Sequence, residues 1–362
     1  MAAQTPLAPD DIDLSALATL GERTMSPFNI GPHQAQIRDI LPVLSNSANY
    51  TQKWEFFIYT HPYSARLKFE ISNFAFSKND GKVQGYVKRE NEDGSIEEFK
   101  INQKFKSGQW KANPQTLALE FGDYRLDFHD GLFLLQGSFE KGSFEYEIPA
   151  RFWKPGTGSV YFGNTPDNFF KYSLLTYHRN VSKGTFHVDG QDIPVTGQAY
   201  GNHYAMTQAI YDVFDETTDF RNRTDDVLVE MRYYIPSAKY DAQPFGFVLV
   251  ASEGIPVFES IDVSRTSTKT WLDDAHYGYE IDIEQQIVAR DAQNQAILTI
   301  TNAKPTASDP YADLSTFQRN VAMRFAKPIE YAINANWIVD LLVEGIQAKI
   351  PFNKNYSLTR LR

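Results

Sequence analysis

The chain has 362 residues, a net charge of −10 and no cysteine, with 26 Phe, 20 Tyr and 5 Trp among its residues. A chain of this length buries roughly three-quarters of the surface its unfolded form exposes, so it needs neither disulfide nor metal to hold a core. The acidic balance disfavours nucleic acid as a partner, and the missing cysteine excludes thiol catalysis, disulfides and cysteine-ligated metals.

The first residues, "MAAQTPLAPDD", carry neither the basic n-region nor the apolar h-region of a signal peptide. Ala-Gln-Thr-Pro and the lack of cysteine fit the mature end of an exported, periplasmic or secreted chain; a cytoplasmic protein is the alternative. Residues 1–27 read as a flexible segment, with short helical stretches expected over 11–20 and 33–41. No apolar run is long enough for a transmembrane helix, so none is expected.

From about residue 50 the pattern becomes period two. "RLKFEIS" puts Leu67, Phe69 and Ile71 on one face and Arg66, Lys68 and Glu70 on the other. "YRLDFH" repeats this with Tyr124, Leu126 and Phe128, and "SFEYEI" with Phe144, Tyr146 and Ile148. Strict alternation of this kind marks antiparallel strands with one wet face. Turn signals such as "KNDGK", "NEDGS", "KSGQ" and "FHDG" separate the strands at short intervals, as in sandwiches and barrels. The Gly-, Pro- and Asn-rich stretch 151–168 reads as a connector. Strand patterns then resume with the Asp189-Gly190 hairpin, "DVLVEMRYYIP", "PFGFVLVASEG", "YGYEIDIEQQIVAR" and "AILTITNAK", and "LLVEGIQAKIPF" reads as a closing strand. The expected architecture is all-β, with two antiparallel barrels over 28–165 and 166–362. Small barrels of about eight strands can enclose one small ligand.

The stretch "IPVTGQAYGNHYAM" ends a strand on two glycines and presents Tyr200, His203 and Tyr204 close together. Gly197 and Gly201 permit a bulge or sharp turn that re-aims a side chain. A neutral imidazole beside two phenols can transfer a proton or donate a hydrogen bond. The plainer reading is a structural histidine bonded to a carbonyl at a barrel rim. Asp274 in "WLDDAHYGYE" is a candidate partner for His203, the alternative being a polar hairpin loop. Candidate ligand-lining residues are Tyr177, Gln198, Tyr233, Trp271 and His276. His178, His187 and His203 match no defined metal-ligand spacing, so no metal site is assigned, and no nucleotide, phosphate-loop or nucleophile-elbow motif is present, so no cofactor is expected.

The segment "YHRNVSKGTFHVDGQDIPVTGQAYGNH", residues 177–203, resembles the AttH-like, carotenoid-hydratase-like lipocalin superfamily. The matching positions are Tyr177, Gly184, Asp189-Gly190, Val195, Gly197, Ala199, Tyr200 and His203. "WEFFIYTHPYSARLKFEISNFAF" is similar to the opening of AttH-like and survival-factor-like members. The resemblance implies two packed lipocalin-like barrels, and a bulky hydrophobic, polyene- or isoprenoid-like ligand handled without a cofactor, as in carotenoid hydratases and fungal Diels–Alderases. Ala205-Met206 stands where hydratase-like members carry Trp-Gly, and Asn202 replaces the usual acid. Binding of such a lipid-like molecule is the first functional reading. The alternative is a cofactor-independent hydratase, isomerase or cyclase with His203 as acid or base, and the third is a barrel filled by its own side chains.

Overall fold

A computed structural model describes residues 35–361, except 74–77, 157, 163–166, 224–226, 241–242, 253–254, 276, 312–315, 317–318, 321–322 and 324–326. The strands of the first unit are β1 (Thr51–His61), β2 (Tyr63–Ser72), β3 (Asp80–Glu90), β4 (Ile96–Phe105), β5 (Lys111–Asn113), β6 (Ala118–Phe121) and β7 (Tyr124–His129). They continue with β8 (Leu132–Phe139), β9 (Gly142–Pro149), β10 (Ser159–Tyr161), β11 (Phe169–Asn180), β12 (Lys183–Val188), β13 (Gln191–Pro194) and β14 (Thr196–Met206). The second unit holds β15 (Phe214–Arg223), β16 (Val227–Pro236), β17 (Phe245–Ser252), β18 (Ile255–Ser260), β19 (Asp262–Asp273), β20 (Tyr279–Asp291), β21 (Asn294–Ser308), β22 (Ile329–Val343) and β23 (Ile346–Arg360).

The alternation in the sequence translates directly into burial. In β2, Tyr63, Ala65, Leu67, Phe69 and Ile71 are buried while the residues between them stay half-exposed. Phe144, Tyr146 and Ile148 do the same in β9. Asp130-Gly131 and Asp189-Gly190 both adopt positive φ, as two-residue hairpin turns of primed type demand. The closing "LLVEGIQAKIPF" is likewise a hairpin, with β22 turning on Glu344-Gly345 into β23.

The first unit contains two seven-stranded sheets, ordered β10-β11-β14-β1-β2-β3-β4 and β13-β12-β9-β8-β7-β6-β5. Their inner faces meet in one aromatic core, with Phe56 against Phe133 at 5.3 Å, Phe69 against Phe121 at 6.1 Å and Tyr63 stacked on Phe186 at 4.4 Å between ring centres. The second unit is one nine-stranded sheet, β18-β17-β16-β15-β23-β22-β21-β20-β19. It curls until β17 approaches β19, around a core that includes Phe220, Met231, Val248, Ile287, Leu298, Ile333 and Trp337. The fold is therefore all-β and lipocalin-like, made from curled antiparallel sheets.

The compact units are residues 1–208 and 209–362, so the expected boundary at 165/166 falls inside the first. The reason is long-range pairing: β14 lies along the whole of β1, and β12 pairs with β9. The 151–168 stretch is accordingly folded into the first unit, where Trp153, Val160 and Phe162 are buried. Of the helix expected over 33–41, the described part forms only a 3-10 turn at Ile37–Asp39; the one expected over 11–20 lies outside the described residues.

Candidate functional site

His203 sits in mid-strand on β14, with Trp54 of β1 and Ser173 of β11 as its cross-strand neighbours. Period two places its side chain on the inner face, beside Trp54, whose ring centre is 5.4 Å away. Only 1% of His203 is exposed. Its ring Nε2 lies 2.9 Å from the Nε2 of Gln52.

Gln52 is pinned by three further bonds. Its Nε2 donates to the Leu41 carbonyl at 2.8 Å, while its Oε1 accepts from the Val43 amide at 2.9 Å and from the Tyr50 hydroxyl at 3.0 Å. Reversing the amide would set oxygen against the Leu41 carbonyl and NH₂ against the Val43 amide, so the orientation is fixed. An amide nitrogen only donates; His203 Nε2 must accept, and the ring proton resides on Nδ1. That Nδ1–H is buried and has no hydrogen-bond partner among the described residues. Burial, reinforced by the Lys171 ammonium, pushes the imidazole pKa down to about 3, so the ring is neutral at physiological pH. The site thus presents one fixed, desolvated, uncharged hydrogen-bond donor.

The segment before β1 is bonded to the neighbours of His203 and to the 151–168 stretch. Trp54 Nε1 donates to the Ile40 carbonyl at 2.8 Å, and Asp39 Oδ2 pairs with Lys154 Nζ at 3.0 Å.

The two tyrosines expected beside His203 lie on the opposite, outer face of β14. Tyr200 hydrogen-bonds Tyr172 between hydroxyls at 3.0 Å, and Tyr204 lies under the Lys53 ammonium, 5.1 Å from its ring centre. Burial raises the Tyr204 pKa, with Lys53 opposing. Asn202, on the same face, is 1% exposed and its Nδ2 has no partner among the described residues. Gln198 is half-buried on this face, opposite Tyr59. Tyr177 is buried on β11, with the Arg151 guanidinium 5.6 Å from its ring centre.

The other expected site residues belong to the second unit. Asp274 is exposed in the β19–β20 turn and Trp271 is 38% exposed; His276 lies outside the described residues. The buried carboxylate of that hairpin is Asp273, which accepts from the Tyr331 hydroxyl at 2.7 Å. Tyr233 is buried with the Arg265 guanidinium 4.8 Å from its ring centre. Arg265 belongs to an interior charge network. Its Nη1 meets Glu216 at 2.5 Å and its Nη2 Asp282 at 3.5 Å, while Arg360 Nη1 meets Glu216 at 2.7 Å.

Of the three histidines in the 177–203 segment, His187 pairs with Asp192 at 2.6 Å on the β12–β13 hairpin of the other sheet. The side chain of His178 lies outside the described residues. Sequence reading missed Gln52, and its one signal was parity: Gln52 shares the inward register of Trp54, Phe56 and Ile58, where a polar residue needs a reason.

No protein-family model matches the sequence, and no curated protein matches it. Among solved structures the chain is similar to an AttH protein of Nitrosomonas europaea, at 13% identity and a TM-score of 0.53, over 93% of this chain and 100% of that one. At that identity the likeness is one of fold. Kievitone hydratase from Nectria haematococca matches at 11% identity and a TM-score of 0.47, over 94% and 98% of the two chains. CghA matches at 10% identity and a TM-score of 0.45, over 94% and 96%. At those scores neither adds to the assignment. The all-β, lipocalin-like fold of this chain is the fold it shares with that AttH protein.

Proposed function

We propose that this protein is a cofactor-independent enzyme of the hydratase, isomerase or cyclase kind, acting on an apolar small molecule that carries a carbonyl or hydroxyl oxygen. The supporting observation is the His203 Nδ1–H, buried, without a partner among the described residues, and fixed in its tautomer by Gln52. A buried donor left unpaired costs about 1–3 kcal/mol, which an oxygen of the substrate would recover. Because the ring holds its single proton down to about pH 3, His203 acts by polarising that oxygen and not by exchanging a proton with bulk. Its role is then that of a preorganised donor aimed at developing negative charge, an arrangement whose loss costs roughly 10²–10³ in kcat. Trp54 and the apolar core around it supply the flat, dry surroundings in which such a donor is strongest.

Carriage of the same molecule without turnover would use the same donor. The test begins with the full chain purified gently and examined by native mass spectrometry, with any bound compound extracted and identified. Wild type and His203→Leu are then incubated with that compound, and product is followed by liquid chromatography–mass spectrometry. The proposal expects conversion by wild type and a loss of about 10²-fold in His203→Leu, with binding weakened far less. Equal conversion by the variant, or no bound compound in either protein, overturns it. Binding without conversion in wild type leaves carriage as the function.

A further inference from the structure

Arg151, which the His203 reading does not use, follows β9 at the start of the 151–168 stretch. Its amide donates to the Leu175 carbonyl at 2.9 Å, so its backbone is docked on β11. Just beyond that point β11 bulges against β14: Thr176 pairs with Gly201 but Arg179 with Ala199, three residues of one strand spanning two of the other. Bulges re-aim side chains and recur beside functional sites. The bulged stretch carries Tyr177 and ends on Arg179, and the Arg151 guanidinium lies 5.6 Å from the Tyr177 ring centre.

The charge around Arg151 is one-sided. Its buried Nη1 has no hydrogen-bond partner among the described residues. Burial, and then repulsion by the Arg179 guanidinium, hold its pKa below the ordinary arginine value, with only the Tyr177 phenol opposing them. Neither Arg151 nor Arg179 forms an ion pair among the described residues, in a chain whose net charge is −10. Arginines elsewhere are answered: Arg66 by Glu55, Arg232 by Asp219 and Glu230, and Arg265 by Glu216. Two guanidiniums placed together without an acid repel each other, and an anion set between them relieves both. Arg151 is half-exposed and Arg179 exposed, so such an anion arrives from solvent and needs no enclosed cavity.

We propose that Arg151 and Arg179 form a binding site for the phosphate of a phosphomonoester, with Tyr177 steadying the Arg151 fork. The phosphate of such an ester carries close to two negative charges at neutral pH, matching the two guanidiniums. Its oxygens also suit the planar forks, which bind phosphate in bidentate fashion. The site shares no residue with the His203 donor.

Phosphomonoesters occur as soluble compounds and as lipid head groups, so the test uses two probes on the full chain. Phenyl phosphate is titrated by calorimetry at low salt, with benzoate as the singly charged control, and phosphatidylcholine vesicles with and without phosphatidic acid are used in cosedimentation. Wild type is expected to bind phenyl phosphate at least about tenfold more tightly than benzoate, or to sediment only with the phosphatidic acid vesicles; the probe that binds identifies the source. Arg151→Gln should weaken that binding by about tenfold and Arg179→Gln by roughly threefold or more. Arg179 is exposed, so its variant tests the site independently of any packing change at Arg151. Arg290→Gln, which removes the same charge from an exposed side chain of β20, should bind as wild type does. Phenyl phosphate, where it binds, should raise the thermal midpoint of wild type and not that of Arg151→Gln. No binding of either probe by wild type, equal affinity for benzoate, unchanged binding in both site variants, or an equal loss in Arg290→Gln overturns the proposal. None of these outcomes bears on His203, whose own test reads conversion.

Discussion

Replacing His203 by leucine converts its burial into a measurable pH dependence. In the native chain the imidazole takes up a proton only near pH 3, whereas in the unfolded chain it does so at its ordinary value of 6.5. Between those values the unfolded state binds a proton that the native state refuses, so unfolding free energy rises with pH there. The contribution is complete above pH 6.5 and is lost progressively as pH falls towards 3. One proton is worth about 1.4 kcal/mol per pH unit, so the window spans about 5 kcal/mol, and the step from about pH 6.5 to 4.5 about 2.7 kcal/mol. Leucine removes the titration. At neutral pH its own effect is small, because it deletes one unpartnered N–H and exposes another on Gln52, each worth about 1–3 kcal/mol. Urea unfolding curves of both proteins across this pH range measure the difference directly, with the carboxylates common to both cancelling. The variant should match wild type near pH 7 and exceed it by about 2–3 kcal/mol near pH 4.5. Parallel stability curves would refute the buried, neutral imidazole and the donor role built on it.

Gly197 and Gly190 both have positive φ, but a Cβ on Gly197 would lie 2.0 Å from the Tyr59 carbonyl, whereas one on Gly190 meets nothing within 4 Å. Gly197→Ala should therefore cost roughly 2–4 kcal/mol by loosening β14 from β1, against about 1 kcal/mol for Gly190→Ala, as read from thermal or urea midpoints. In the second unit, Glu216→Gln takes the closest carboxylate from the buried Arg265, which keeps Asp282 at 3.5 Å, and removes the ion pair of the half-buried Arg360. A loss of about 3–5 kcal/mol in urea unfolding is expected, and a loss below about 1 kcal/mol would show the network to be dispensable.

Local sequence determined the strands, because alternation and Asp-Gly turns act over a few residues. Leu67, Phe69 and Ile71 had to share a face, and Asp189-Gly190 had to turn a hairpin. Parity also carried part of the site. In a straight strand Tyr200 and Tyr204 share a side and His203 takes the other, so their closeness in sequence did not make them one cluster. What tertiary structure alone decided was partnership at long range. Gln52 meets His203 across 151 positions of sequence. Residues 169–206 joined the first unit because β14 found β1. Lys53 of β1 reached Glu70 of β2, and Arg66 of β2 reached Glu55 of β1, only once those strands had paired. Hydrogen bonds between antiparallel strands recognise backbone, which every residue supplies alike. The choice among partners therefore falls to the packing of whole faces, a property of the assembled sheets and not of any short stretch of chain.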